Sequence, residues 1–353
     1  MRLPVLHSTP ALKPQELSDV TQRAVDELLR EGESQNTLAS YRSALRYWAA
    51  WFALRYGVQM SLPVPAPALL QFIVDHAQRT SAKGLAHELP ASIDKALVAG
   101  GYKGKPGPAA LNTIVHRIAV LSKVHQLREL KNPAQDPKVK ELLGMTRRAY
   151  AKRGALPQKK DALTRDPLQA LLATCEESLK GKRDRALLLF GWSTGGRRRS
   201  EIASAQMRFL KPAPDGEYWY ELAHSKTNQQ GVDRPENAKP VVGAAAQALR
   251  EWLAASRVTE GAIFRRVRRG GHVGQALSAA AVREIVKERC ALAGIEGDYS
   301  AHSIRSGFVT EANRQELPIA DMMALSGHRS AQSLLNYSRD GANRRVALRL
   351  LSG

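Results

Sequence analysis

Cysteine is scarce in this chain: Cys175 and Cys290 are the only two among 353 residues, and each lies inside a helix-like pattern. A disulfide framework or a zinc site is therefore not expected, and a reducing, cytoplasmic setting is. Acidic residues are also in short supply, 33 Asp+Glu against 53 Lys+Arg, for a formal charge of +20. Long apolar runs are missing. None approaches the roughly 18–20 residues of a membrane-spanning helix, and residues 1–14 lack the apolar stretch expected of a signal peptide. No Gly-x-x-x-x-Gly-Lys-[Ser/Thr] phosphate loop occurs, so ATP use is not expected. No clustered acidic pair points to a two-metal nuclease.

So large a positive excess calls for a polyanionic partner, with nucleic acid ahead of an anionic membrane. A hydrophobic share of 43% with 24% charged residues is a globular balance. The length favours two domains over one core.

Residues 1–14, with Pro4, Pro10 and Pro14, read as a flexible arm, and residues 15–153 as a helical, basic domain. A helical pattern runs from Glu16 to Glu31. The clearest helix spans Thr37 to Tyr56, with Asn36-Thr37 as its cap and Leu38, Tyr41, Leu45, Trp48 and Phe52 as one apolar stripe. Arg42 and Arg46 lie off that stripe and are candidates to face DNA. Helices are also expected from Ala68 to about Gln78, Pro90 to Ala99, Asn112 to Leu127 and about Pro137 to Lys152. Asn112, His116, Arg117 and Lys123 are then left for solvent or phosphate.

Residues 154–161 read as a linker, with Lys159 and Lys160 as further DNA contacts, and residues 162–353 as a second domain. Thr164 is placed to cap a helix from Pro167 to Leu179, and another runs from Arg183 to about Trp192. The convincing strands, Met207–Lys211 and Glu217–His224, flank an Asp215-Gly216 turn, with Ala238–Val242 a candidate third. Lys226 follows on a β-turn, from which a long cationic side chain reaches into a cleft. From Ala244 onward the pattern is helical, broken by a basic loop from Arg265 to Gly271. The expected fold class is mainly α, with two domains, the second a mixed α/β domain carrying a small antiparallel sheet.

One ordered set of residues carries chemistry: Arg198 and Glu201, then Lys226, His302-x-x-Arg305, His328 and Tyr337. A tyrosine hydroxyl has an ordinary pKa near 10, so making it a nucleophile at neutral pH takes roughly 4 kcal/mol of help from a base or positive charge. A phosphodiester under attack gathers negative charge, which arginine forks meet with two parallel hydrogen bonds. Arg198 and Arg305 fit that role, with His302 as a third donor or as the base. Lys226 suits protonation of the leaving 5′-oxygen. His328 is suited to donate to the phosphate or to steady the site, and Glu201 to orient an arginine or the histidine. Such chemistry needs neither metal nor cofactor, because the bond energy is kept in the phosphotyrosine link.

In Ser300-Ala301-His302-Ser303-Ile304-Arg305-Ser306-Gly307, Asn336-Tyr337 and, upstream, Trp48-Ala49-Ala50-Trp51, the chain resembles the tyrosine recombinases (the phage integrase family), most closely the Cre-like group. The resemblance implies an N-terminal core-binding domain of SAM-like type and a catalytic C-terminal domain, closing as a clamp around duplex DNA. It implies Tyr337 as the nucleophile of a 3′-phosphotyrosine, Arg198, Arg305 and His302 on the scissile phosphate, and Lys226 as general acid. It also implies a homotetramer on two inverted-repeat sites that exchanges strands through a four-way junction. The tail from Arg344 to Leu351 would dock as a helix into a neighbouring subunit. The Cre protein has tryptophan where this chain has His328, the commoner residue of the family. Where Cre has a base-reading arginine, this chain has small alanines, Ala279 to Ala281, leaving Arg283 or Lys287 to substitute. Spacing to Glu201 favours Arg198 as the active arginine, with Arg197 and Arg199 contacting backbone phosphates or solvent. A type IB topoisomerase and a non-cleaving DNA-binding protein are the alternatives to a recombinase.

Overall fold

The computed structural model describes residues 35–82, 84–155, 159–222 and 237–337. The chain divides into two compact units, Met1–Pro157 and Gln158–Gly353. The first contains helices α1 (Gln35–Tyr56), α2 (Ala66–His76), α3 (Ala91–Ala99), α4 (Leu111–Leu127) and α5 (Pro137–Lys152). Helix α5 starts where the sequence dictates. The Asp136 carboxylate accepts from the backbone N–H groups of Lys138 and Val139, and Pro137 occupies the first turn, where no donor is lost.

Two local expectations are corrected here. Helix α1 already includes Gln35, so Asn36 and Thr37 lie inside it and not at its cap. Its fully buried face is Ala44, Tyr47, Trp48 and Trp51, whereas Leu38, Tyr41, Leu45 and Phe52 are only half-buried. The reason lies on α2, which supplies partners for the polar tips of the aromatic rings. Trp51 Nε1 donates to buried Asp75 at 3.0 Å, and Tyr47 Oη bonds His76 Nε2 at 2.6 Å. Trp48 stacks on Phe72 with ring centroids 3.8 Å apart, closing this core. The unit is also not wholly helical, because Arg79–Ser81 (β1) pairs antiparallel with Gly84–Ala86 (β2). Strands of three residues are too short to show an alternating pattern.

The second unit runs α6 (Arg165–Ala173), α7 (Leu179–Ser193), α8 (Arg199–Ala203), β3 (Leu210–Pro212), β4 (Tyr218–Glu221) and β5 (Ala238–Val241). It continues through α9 (Gly243–Ser256), β6 (Arg265–Arg268), β7 (His272–Ala276), α10 (Ala279–Leu292), α11 (Ala301–Arg314), α12 (Ile319–Ser326) and α13 (Ala331–Leu335). Strands β3, β4 and β5 form an antiparallel sheet in that order. Residues Met207–Phe209, expected as strand, make a 3₁₀ turn before it. Arg265–Gly271, expected as a basic loop, is largely the β6–β7 hairpin. There the charged side chains alternate with Val267, and charge density masked a strand of one apolar residue. Thr164 stands at the N-cap of α6 but makes no side-chain capping bond. The helix expected as far as Leu179 stops at Ala173, and α7 begins afresh behind Ser178, whose side chain accepts from Gly181 N.

Helix α7 is the spine of this unit. Ala186, Leu187, Leu188 and Phe190 are fully buried, and the helix packs on α9 and α11. It also carries a buried charge. Asp184 accepts from Arg183 Nη2 and, from α10, Arg289 Nη2, both at 2.6 Å. Removing one partner of a buried ion cluster leaves uncompensated charge, at a cost of roughly 3–5 kcal/mol. Asp184→Asn is therefore expected to lower unfolding free energy by about that amount in denaturant titrations. A loss under about 1 kcal/mol would show that this cluster does not hold α7 to α10.

Candidate active site

Arg198, Arg199, Arg283, His302, Arg305 and Tyr337 line one cleft of about 390 Å³ in the second unit. Four of the seven residues expected to carry chemistry thus share a single cavity. Glu201 and His328 stand behind it, and Lys226 lies outside the described residues.

Each side chain is placed by a short piece of local structure. Arg198 is the N-cap of α8, and Glu201 in the first turn accepts from its backbone N–H at 3.2 Å and from its guanidinium at 2.7 Å. A first-turn carboxylate also suits the positive end of a helix. Burial alone would raise the Glu201 pKa, but the Arg197 and Arg198 guanidiniums and these hydrogen bonds outweigh it and hold it low. Arg305, one turn into α11, is 1% exposed. Its Nη1 donates to Gly196 O at 3.0 Å, and its Nη2 lies 3.1 Å from His328 Nε2. Its Nε is buried and has no hydrogen-bond partner among the described residues. Burial, followed by repulsion from Arg198 and Arg197, pushes its pKa down to about 10, which leaves it protonated at neutral pH.

His328 follows α12 and is almost fully buried. Arg305 Nη2 lies 3.1 Å from its Nε2 and 3.3 Å from its Nδ1, and Nδ1 is also 2.7 Å from Ser326 Oγ. Both ring nitrogens are thereby engaged inside the protein. The imidazole contacts Arg305 and Ser326. Ser326 was given no role of its own from sequence. Tyr337 follows α13, with its N–H donating to Leu334 O at 2.9 Å. Its ring centroid is 5.2 Å from that of exposed His302 and 5.0 Å from that of His328, and Arg305 Cζ lies 5.5 Å from it.

Arg197 overturns an expectation. It does not face phosphate or solvent: it is 2% exposed, with Nη2 donating to Leu325 O at 2.7 Å. Arg199 is exposed on the cleft, as is Arg283, which pairs with Glu284 at 2.6 Å. Lys287 is exposed on α10. Lys159 donates to Asn336 O at 3.2 Å, and Lys160 forms an ion pair with Asp298. In the first unit, Arg42, Arg46, Asn112 and His116 are exposed, and Lys123 is half-buried. Arg117 departs from its expected role. Its guanidinium lies 3.2 Å from the centre of the Tyr47 ring, so it packs inward as part of the core wall. Burial lowers its pKa accordingly.

Two buried histidines, His76 and His328, are expected to make stability depend on acid. Burial first, then Arg305, Arg198 and Arg197, push His328 down to about 3; burial does the same to His76. An unfolded histidine titrates near 6.5, so between about 6.5 and 3 the unfolded chain binds more protons. Stability is expected to be intact above pH ~6.5 and to fall progressively as pH drops toward ~3. His328→Asn should flatten this dependence in melts of the chain across that window; an unchanged slope would mean His328 is not held neutral.

A mainly helical unit that brings four arginines, a histidine and a tyrosine to one cleft has the make-up of a phosphate-handling site. Comparison with known proteins identifies its family. Residues 161–344, just over half of the chain, match the phage integrase family. The chain belongs to that family and is a tyrosine site-specific recombinase. It is 27% identical over 320 residues to the integrase/recombinase xerD homolog of Selenomonas ruminantium, covering 89% of this chain and 84% of that protein. Its fold is similar to that of XerH site-specific recombinase bound to palindromic difH substrate in a post-cleavage complex. That likeness has a TM-score of 0.57 and 16% identity, over 96% of this chain and 86% of the other. A lambda integrase dimer bound to a COC′ core site is similar at a TM-score of 0.53 and 18% identity, over 91% and 94% of the two chains.

Proposed function

We propose that this chain cuts and rejoins duplex DNA at specific sites through a 3′-phosphotyrosine on Tyr337. The observation that carries this reading is the shared cleft of Arg198, His302, Arg305 and Tyr337, which come from three separate stretches of the sequence. In the reaction, Tyr337 Oη attacks phosphorus as its proton passes to His302. The two arginines and His302 stabilise the charge that grows on the non-bridging oxygens. The bond to the 5′-oxygen breaks, and Lys226 supplies the proton that this leaving group takes. Glu201 holds Arg198, and His328 holds Arg305. Rejoining reverses the steps with a 5′-hydroxyl of another strand, so the phosphodiester is conserved.

Residues 15–153 act as the core DNA-binding domain, 154–161 as a linker and 162–353 as the catalytic domain. Arg42, Arg46, Asn112, His116, Lys123, Lys159, Lys160, Arg199, Arg283 and Lys287 contribute phosphate or base contacts. The partner is double-stranded DNA with inverted repeats, bound by a homotetramer across two sites in a cytoplasmic, nucleoid-associated setting. The tail from Arg344 to Leu351, which would dock on a neighbouring subunit, lies outside the described residues. The xerD homolog and the DNA-bound XerH and lambda integrase structures support the DNA partner by analogy. Among the described residues no helix is long and apolar enough to cross a membrane.

The test is to incubate wild-type protein with two labelled duplexes bearing inverted repeats from the gene's neighbourhood, in chelator and without ATP. Strands joined between the duplexes, through a four-way junction, are expected. Relaxation of supercoiled DNA without any exchange would point to a topoisomerase. Binding with no covalent adduct on the specific site would leave a non-cleaving DNA-binding protein.

A further inference from the structure

We propose that Arg197, with Lys239 beside it, is a positioning residue for strand cleavage, aligning Arg198, Arg305 and His328 from behind the cleft without touching DNA. This rests on the reading of Tyr337 as nucleophile. Neither cation lines the cleft, and each is 2% exposed. Burying a charge is expensive unless it is well paired, so their partners show what they hold. Arg197 Nη2 donates to Leu325 O at 2.7 Å, and Lys239 Nζ donates to Ala324 O at 2.5 Å. These are successive carbonyls in the last turn of α12, where a helix has no internal donors and its dipole is negative. The next residues, Ser326-Gly327-His328, deliver the imidazole to Arg305.

The same guanidinium reaches the other side of the site. Arg197 Nη1 lies 3.7 Å from Glu201 Oε2, the carboxylate that grips Arg198. The loop before it is built for this contact. Gly195 has φ +99°, and a Cβ there would stand 2.2 Å from Leu325 O, so only glycine lets the loop meet α12. Gly196 O accepts from Arg305. One loop therefore connects Arg305 through Gly196, His328 through Arg197 and α12, and Arg198 through Arg197 and Glu201.

The test compares wild type, Arg197→Leu, Arg197→Lys and Lys239→Met as full chains, measuring melting, affinity for the specific duplex and single-turnover adduct formation. Arg197→Leu is expected to keep DNA affinity while the adduct rate falls roughly 10²-fold, the order lost when reacting groups shift by about 1 Å. Arg197→Lys, which retains the charge and one donor, should recover part of that loss, and Lys239→Met should show a smaller loss. Combined with His328→Asn, Arg197→Leu should cost less than the product of the two separate losses, since both act through one arrangement. In DNA-free protein, the His328 ring NMR signal should move in Arg197→Leu and return toward its wild-type position in Arg197→Lys. That readout does not depend on cleavage. If wild type forms no adduct on its specific site, the reading of Tyr337 fails, and the NMR signal still decides the role of Arg197. A folded Arg197→Leu with wild-type adduct rate and an unmoved His328 signal would overturn the proposal. So would parallel losses of DNA affinity and adduct rate, the mark of a structural role alone. Should Arg197→Leu not fold, Arg197→Lys and Lys239→Met face the same criteria.

Discussion

Tyr337→Phe is expected to bind its specific DNA as wild type does and to form no covalent protein–DNA adduct. The substitution removes one oxygen and leaves the ring. The contacts that place this ring, with His302, His328 and Arg305 at 5.2, 5.0 and 5.5 Å, are ring contacts that phenylalanine keeps. On the proposed reading only the attacking atom is lost, and the serines that also line the cleft, Ser200 and Ser300, do not take its place. The adduct rate should therefore drop by at least ~10⁴-fold, the order seen when a nucleophile is removed from a cooperating set. A denaturing gel of protein and labelled duplex reads this directly. A band of retarded DNA that persists in the variant would mean that another residue carries the phosphate.

The second large effect is expected at Arg305. Arg305→Lys keeps the positive charge but loses the planar fork that, on the proposed reading, meets two phosphate oxygens at once. It also loses the ability to hold Gly196 O and His328 at the same time, contacts of 3.0 and 3.1 Å in the native site. Removing one preorganised donor from developing charge costs about 3–4 kcal/mol, or roughly 10²–10³-fold in rate. Single-turnover adduct formation should fall by that factor, with a much smaller change in DNA affinity, because many other cations contribute to binding. Arg198→Lys provides the comparison. Arg198 retains 23% side-chain exposure, so its replacement disturbs the core less while removing the other arm of the proposed clamp. A loss at Arg305 below about tenfold would remove it from the phosphate clamp.

Much of this could be seen in the linear chain. The helices from Ala91 to Ala99, around Leu111 to Leu127 and from Pro137 to Lys152 lie within about two residues of where the linear pattern places them. The Asp215-Gly216 turn follows from two residues that tolerate positive φ, here 58° and 71°. What stayed hidden depended on partners far away in sequence. The buried face of α1 was misread because Tyr47 and Trp51 are placed by His76 and Asp75, which hydropathy along α1 cannot reveal. Arg117 was taken as a surface cation because its stacking partner, Tyr47, is 70 residues away. The β6–β7 hairpin was hidden by its arginines, whose pairing rests on backbone hydrogen bonds that composition does not report.

The sequence by itself determined the charge of the protein, its two-part organisation as an expectation, and the ordered inventory of arginine, lysine, histidine and tyrosine that strand transfer requires. Tertiary structure decided which of those groups share a cleft and which support it from behind. Arg197, Arg198 and Arg199 make the point most simply. They are identical in type and adjacent in the chain, yet one is buried against α12, one is held at the cleft by Glu201, and one is exposed. Local propensity cannot separate three neighbouring arginines. Their fates diverge because a guanidinium is buried only where distant carbonyls and carboxylates meet its donors, and only the folded chain brings Leu325 and Glu201 to Arg197.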